Sequence, residues 1–188
     1  MYRKALLFLS LLAATALVVA PSASARGAGQ WPSTQSFGET TLKVDSATLK
    51  ALVTLGVTPG AVSPAKLEGS TFAFPITNRL GRALVSGVIK HSGGISLTAG
   101  STSVALTDFE IVPLRSQLLG KVNGAGPVPL LDLHYRGAHL TINRGRLVLG
   151  PIGTTLTAGA AAALNEAFEV SAFTDQTVIG DATVRYRL

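Results

Sequence analysis

Only three histidines occur in the 188 residues, and one of them, His91, stands at a glycine turn inside Gly87–Ala99 (GVIKHSGGISLTA), between two segments of alternating polarity. A histidine at a strand end can exchange a proton near neutral pH or ligate a metal. Gly93 and Gly94 permit positive φ and let another group approach the backbone closely, which suits a tight hairpin or a ligand lying against the turn. Val85, Gly87 and Ile89 share one strand face and His91 continues their parity, so its ring leaves an apolar face as the strand ends. His91, Ser92, Gly93 and Gly94 are therefore the first candidates for ligand contact. The plainer alternative is a hairpin that a half-buried His91 merely finishes.

A second group is Asp132-Leu133-His134-Tyr135, with His139 shortly after. Asp132 and His134 fall on one face, Leu133 and Tyr135 on the other. As metal ligands they supply two groups and need a third from His139 or His91, so a solvated strand face is the expected role. Tyr135 on the apolar face could ligate haem iron as a phenolate, or could be a buried, hydrogen-bonded tyrosine. Asp108 and Glu110 share strand parity and could serve as paired carboxylates in a hydrolase, but the aromatic surface that usually flanks such pairs is scarce. No Gly-x-Ser-x-Gly elbow and no phosphate-binding glycine loop occurs, and adjacent His91 and Ser92 project to opposite sides. The chain is expected to bind rather than to catalyse.

These residues must be positioned by a mainly β chain. Period-two segments run over Thr40–Val44, Thr71–Ile76, Ala83–Lys90, Ile95–Ala99, Ser103–Val112, Leu118–Val122, Pro129–Tyr135, Leu140–Asn143, Arg146–Leu149 and Ala182–Arg187, with glycine-bearing turns between many of them. Short strands at even spacing predict an antiparallel sandwich or barrel-like domain. Two short helices are expected. One covers about 45–56, capped by Asp45 or Ser46 and ended by Gly56; the other covers 158–168, capped by Thr157. The segment Val57–Pro64 reads as a proline-bearing connection. Thr40-Thr41-Leu42 and Thr154-Thr155-Leu156 give the two helices similar entrances, as two equivalent strand–helix elements at opposite ends of one sheet system would.

Arg3 and Lys4, the apolar run Ala5–Ala20 and the small residues Ala23-Ser24-Ala25 read as a secretory signal peptide over 1–25. Residues 26–38 read as a flexible lead-in and 39–188 as one β-rich domain. The chain contains no cysteine, so stability rests on an apolar core without disulfides. Arg3 and Lys4 account for two of the 16 basic residues, against 10 acidic ones, and the remaining basic residues are scattered with few aromatics between them. Nucleic acid is therefore not an expected partner. Nor is a transmembrane anchor expected in the mature chain, which leaves small molecules or envelope proteins as partners of a secreted or surface-associated protein. A structural or adhesive envelope role is the alternative to binding.

Gly87-Val88-Ile89-Lys90-His91-Ser92-Gly93-Gly94-Ile95, followed by Thr107-Asp108-Phe109-Glu110-Ile111, resembles the pattern of the HtaA domain of exported actinobacterial haem-uptake proteins. Leu156–Phe168 and Ile179–Val184 are similar to that domain's closing helix and strand. The resemblance spans roughly residues 40 to 186 and implies a β-rich fold with two short helices. It also implies haem held by an axial tyrosine near the N-terminal helix, assisted by the histidine of the glycine turn. His91 matches that histidine, yet Asp45–Gly56 contains no tyrosine. Either Tyr135 or His91 itself would then ligate iron, or the scaffold is kept and the cofactor lost.

Overall fold

The computed structural model describes residues 36–80 and 87–188. The expected signal peptide, most of the lead-in and the first residues of the expected strand Ala83–Lys90 lie outside them. The strands in chain order are β1 (Gly38–Val44), β2 (Thr58–Val62), β3 (Lys66–Glu68), β4 (Thr71–Ile76), β5 (Ile89–Lys90), β6 (Gly94–Ala99), β7 (Thr102–Val112), β8 (Gln117–Val122), β9 (Ala125–His134), β10 (His139–Asn143), β11 (Arg146–Leu156) and β12 (Val178–Arg187). They form one antiparallel sheet in the order β2-β6-β7-β8-β9-β11-β12-β1-β4-β3, with β10 on β11 and β5 on β7. This is the mainly β, barrel-like architecture expected, with helices α1 (Ser46–Thr54) and α2 (Ala158–Phe168).

Both helices begin where their caps demand. The Asp45 carboxylate accepts from the amides of Ala47 at 2.8 Å and Thr48 at 3.2 Å, and Thr157 Oγ1 accepts from Ala160 at 3.2 Å. These contacts occupy amide protons that a helix start otherwise leaves without partners. Gly56, at φ +69°, takes the left-handed conformation just past α1.

The sheet closes on itself at His91. Its neighbours Ile89 and Lys90 pair with Ile111 and Glu110 of β7, while His91 bridges to Ile76 at the end of β4. Backbone bonds Thr77 N–H to Lys90 O (2.9 Å) and Ser92 N–H to Pro75 O (3.1 Å) flank that bridge. The segment 89–92 is thus the seam between β4 and β7. Alternate residues point inward around the ring, and Phe72, Ile76, Ile111, Ile152 and Val184 are each at most 2% exposed. Each such side chain contributes roughly 1.5–3 kcal/mol by leaving water.

Three expectations are corrected. The glycine turn at 92–94 is not a hairpin: β5 and β6 do not pair with each other but lie end to end along β7, with Gly94 opposite Thr107 and Ala99 opposite Thr102. The stretch 89–99 is therefore one strand kinked at Ser92-Gly93, and the reversal comes later, at Gly100. Val57–Pro64 is not a simple connection, because Thr58–Val62 forms β2. That strand pairs with β6 alone, and an edge tolerates Pro59. The two Thr-Thr-Leu entrances do not sit at opposite ends of the sheet; β1 and β11 flank the same strand, β12. In addition, β11 continues past Gly150-Pro151 to Leu156, the proline being absorbed where the register shifts between Leu149 and Ile152.

Candidate ligand-binding site

Inside the barrel, beneath α1 and α2, lies a cavity of about 510 Å³. Its wall is apolar: Leu42, Phe72, Phe74, Phe109, Ile152 and Leu164 are among its side chains, and the polar ones are Thr40, Thr48, His91, Asn123 and Thr154. Thr40, Thr48, His91 and Thr154 are buried, whereas Asn123, Val128, Pro129, Gly159 and Ala163 are solvent-exposed. The exposed residues come from the β8–β9 hairpin and α2, which places the mouth there. The alanines of α2 keep the helix surface low where it covers the cavity.

His91 is 5% exposed and sits against the wall in a fixed orientation. Its ring Nδ1 lies 3.0 Å from the carbonyl oxygen of Phe109, the same oxygen that accepts its backbone N–H at 2.8 Å. A carbonyl only accepts, so Nδ1 carries the proton and Nε2 presents a lone pair. Thr40 Oγ1, 2.7 Å from Nε2, is then the donor. Burial lowers the His91 pKa to about 4, with the Phe109 carbonyl opposing the shift, so the ring is neutral at pH 7.

Thr40 was not among the residues singled out from sequence. Its signal was weak but present: it continues the inward parity of Leu42 and Val44, where a hydroxyl is out of place among apolar side chains. Thr154 is its counterpart on β11, 2% exposed, and donates to Gly180 O at 2.9 Å.

The other expected site residues do not line the cavity. Gly93 and Gly94 form the kink that positions His91. At Gly93, φ is +79° and an added Cβ would stand 2.4 Å from the Ala65 nitrogen; at Gly94 it would stand 2.0 Å from the Leu106 oxygen. Backbone packing, not a ligand, occupies that space. Ser92 Oγ is buried without a hydrogen-bond partner, and so is the Tyr135 hydroxyl. Tyr135 lies just beyond β9 and, half-buried, has its pKa raised by desolvation, which opposes the phenolate that iron ligation requires.

The paired-carboxylate arrangement is not formed. Asp108, at φ +52°, sits in a bulge where the β7–β8 register shifts between Thr107 and Glu110. The bulge separates the two acids: Asp108 pairs with Lys121 at 3.0 Å and Glu110 with Lys90 at 3.2 Å, and neither lines the cavity. Likewise His134 bonds Thr155 Oγ1 at 3.0 Å on an exposed face, and no cluster of three or more His, Cys, Asp or Glu suited to a metal occurs among the described residues.

No protein-family model matches this sequence, and no curated protein matches it. Solved structures do. The C-terminal domain of HtaA from Corynebacterium glutamicum superposes with a TM-score of 0.58 at 13% identity, covering 81% of this chain and 98% of that one. The haem-binding protein HtaB from the same organism gives 0.53 at 11% identity, over 80% and 92% of the two chains. The chain thus has the HtaA-like fold, as the resemblance implied; at these identities the likeness is one of fold.

Proposed function

We propose that this protein is a non-enzymatic binding module that holds a small apolar molecule inside its barrel, on a haem-binder's scaffold from which haem ligation has been lost. The observation that carries this reading is the apolar cavity of about 510 Å³ with one ordered polar pair, Thr40–His91, in its wall. Pockets of this size lined by hydrophobic side chains with a few placed polar groups are the usual form of small-molecule sites.

Haem, the ligand the resemblance implies, does not fit the residues present. The resemblance places an axial tyrosine near the N-terminal helix with a histidine assisting it. Here the side chain bonded to His91 is Thr40, on the strand that leads into α1, and an aliphatic hydroxyl is a poor substitute for a phenolate. Among the described residues the cavity wall contains no tyrosine, cysteine or methionine, and no lysine or arginine to receive propionates. His91 could reach iron only by giving up Thr40, because the Nε2 lone pair is already engaged.

Export, expected from the leader, agrees with the same reading at the level of the cell. The leader expected over 1–25 would deliver the module to the envelope, where a buried cavity can carry a poorly soluble molecule through water. No described helix is long and apolar enough to cross a membrane.

The test is a pair of titrations on the protein without its leader. Diphenylhexatriene, a neutral fluorophore dark in water, should bind at one molecule per protein and light up. Haemin should give the spectrum of free haemin, unchanged by His91→Ala. A Soret shift that His91→Ala abolishes would overturn the exclusion of haem, and failure to bind diphenylhexatriene would leave the structural or adhesive envelope role standing.

A further inference from the structure

Resting on the reading of the cavity as a ligand site, we infer that its ligand is a neutral, largely hydrocarbon molecule whose polar handle is a hydroxyl group, donated to Thr40 Oγ1. The inference comes from the direction of hydrogen bonds in the wall. Phe109 O fixes the His91 proton on Nδ1, so Thr40 spends its only proton on Nε2 at 2.7 Å. Thr154 spends its proton on Gly180 O at 2.9 Å, and Thr48 spends its own on Val178 O. All three buried threonines that line the cavity therefore turn their hydrogens into the protein, and what their oxygens still offer is lone pairs. Among the described residues no buried side-chain donor in the wall is left over.

With the Asn123 amide out at the exposed mouth, the buried part of the wall has acceptors and no spare donor, and it discriminates by charge and by hydrogen-bond sense. A carboxylate or phosphate only accepts, so it would face oxygen lone pairs with no lysine or arginine among the described wall residues to offset the repulsion. An ammonium would donate, but no carboxylate lines the cavity to balance a charge taken out of water. An ether or ester accepts only and gains nothing from Thr40. A hydroxyl donates, carries no charge and matches the acceptors these threonine oxygens offer. Thr40 is the preferred acceptor among the three because its bond to an imidazole nitrogen polarises the hydroxyl oxygen toward a stronger acceptor.

The experiment compares dodecanol, its methyl ether and dodecanoate as displacers of diphenylhexatriene at neutral pH. Dodecanol should displace the probe at about one-fifth to one-tenth the concentration of the ether, the ratio expected for one buried hydrogen bond. Dodecanoate should be weaker than the ether. In Thr40→Val combined with His91→Phe, which also removes the Nε2 lone pair that the loss of Thr40 would free, the alcohol-to-ether ratio should fall to near one, and Thr40→Ser, which keeps the hydroxyl, should keep it. Equal potency of alcohol and ether in the unaltered protein, or a preference for dodecanoate, overturns the inference while leaving the cavity a ligand site. Loss of diphenylhexatriene binding in the unaltered protein instead removes the reading on which it rests. The comparison in the unaltered protein stands even where the double variant does not fold.

Discussion

At the scale of single residues, the neutrality of His91 is the property with a measurable consequence. Its ring is held by one carbonyl and one hydroxyl, and no acidic side chain touches it, so nothing repays the cost of burying an imidazolium. The folded-state pKa of about 4 lies below the ordinary 6.5, which means the unfolded chain binds this proton more readily than the native one. Between those values stability must fall as the pH falls. The contribution is fully present above about pH 6.5, and acidification to about 4 removes it, by about 3 kcal/mol for a shift of this size. Urea unfolding of the protein and of His91→Gln should show this: the difference between them should narrow or reverse as pH drops from 7 to 4. A constant difference across that range would mean His91 titrates normally. The same orientation explains why Thr40 matters although its inward parity gives only a weak signal: its role depends on a partner 51 residues away, and no local pattern names that partner.

At the scale of elements, the seam at 89–94 shows what sequence reveals and what it conceals. The helix starts were legible because a cap acts within three residues, so Asp45 and Thr157 announce α1 and α2 by themselves. The inward parity of Ile89 and His91 was equally local. Gly93 and Gly94, by contrast, read as a hairpin because glycine pairs usually are one, whereas their use here is set by segments remote in the chain, Val62–Ala65 and Leu106–Thr107. The bulge at Asp108 is the other half of that kink: Asp108 N–H donates to Gly93 O at 3.2 Å, so two irregularities face each other and the register slips between them. A paired-carboxylate reading fails for this reason alone, since the bulge breaks the alternation on which it relied. Gly93→Ala should therefore be costly. It combines a positive φ with contacts to backbone atoms closer than any Cβ tolerates, and the expected loss is roughly 2–4 kcal/mol by denaturant unfolding. A loss below about 1 kcal/mol would show that the seam can shift to accept a methyl group.

For the whole molecule, the cavity sets stability against binding. An interior as large as about 510 Å³ forgoes dispersion contacts that a filled core would make. The small residues on the inner side of α2 maintain that space: Gly159, Ala160 and Ala163 line the cavity where larger side chains would fill it. Alanine already favours the helix as strongly as any residue, so their size, not their propensity, is what distinguishes the site. Ala160→Leu should move the balance in a defined direction. Its side chain would enter the cavity from a buried position that is 8% exposed, adding apolar contact with little loss of helix propensity. Thermal unfolding without ligand should then rise by about 2–6 °C, the equivalent of roughly 1–2 kcal/mol in a domain of this size. Diphenylhexatriene binding should fall at least tenfold in the same protein, because the added atoms occupy the space the probe needs. Opposite changes in the two measurements are the signature of a cavity kept open for a ligand. A drop in melting temperature together with unchanged probe binding would mean that the side chain is forced elsewhere and that the space beneath α2 is not where small molecules enter.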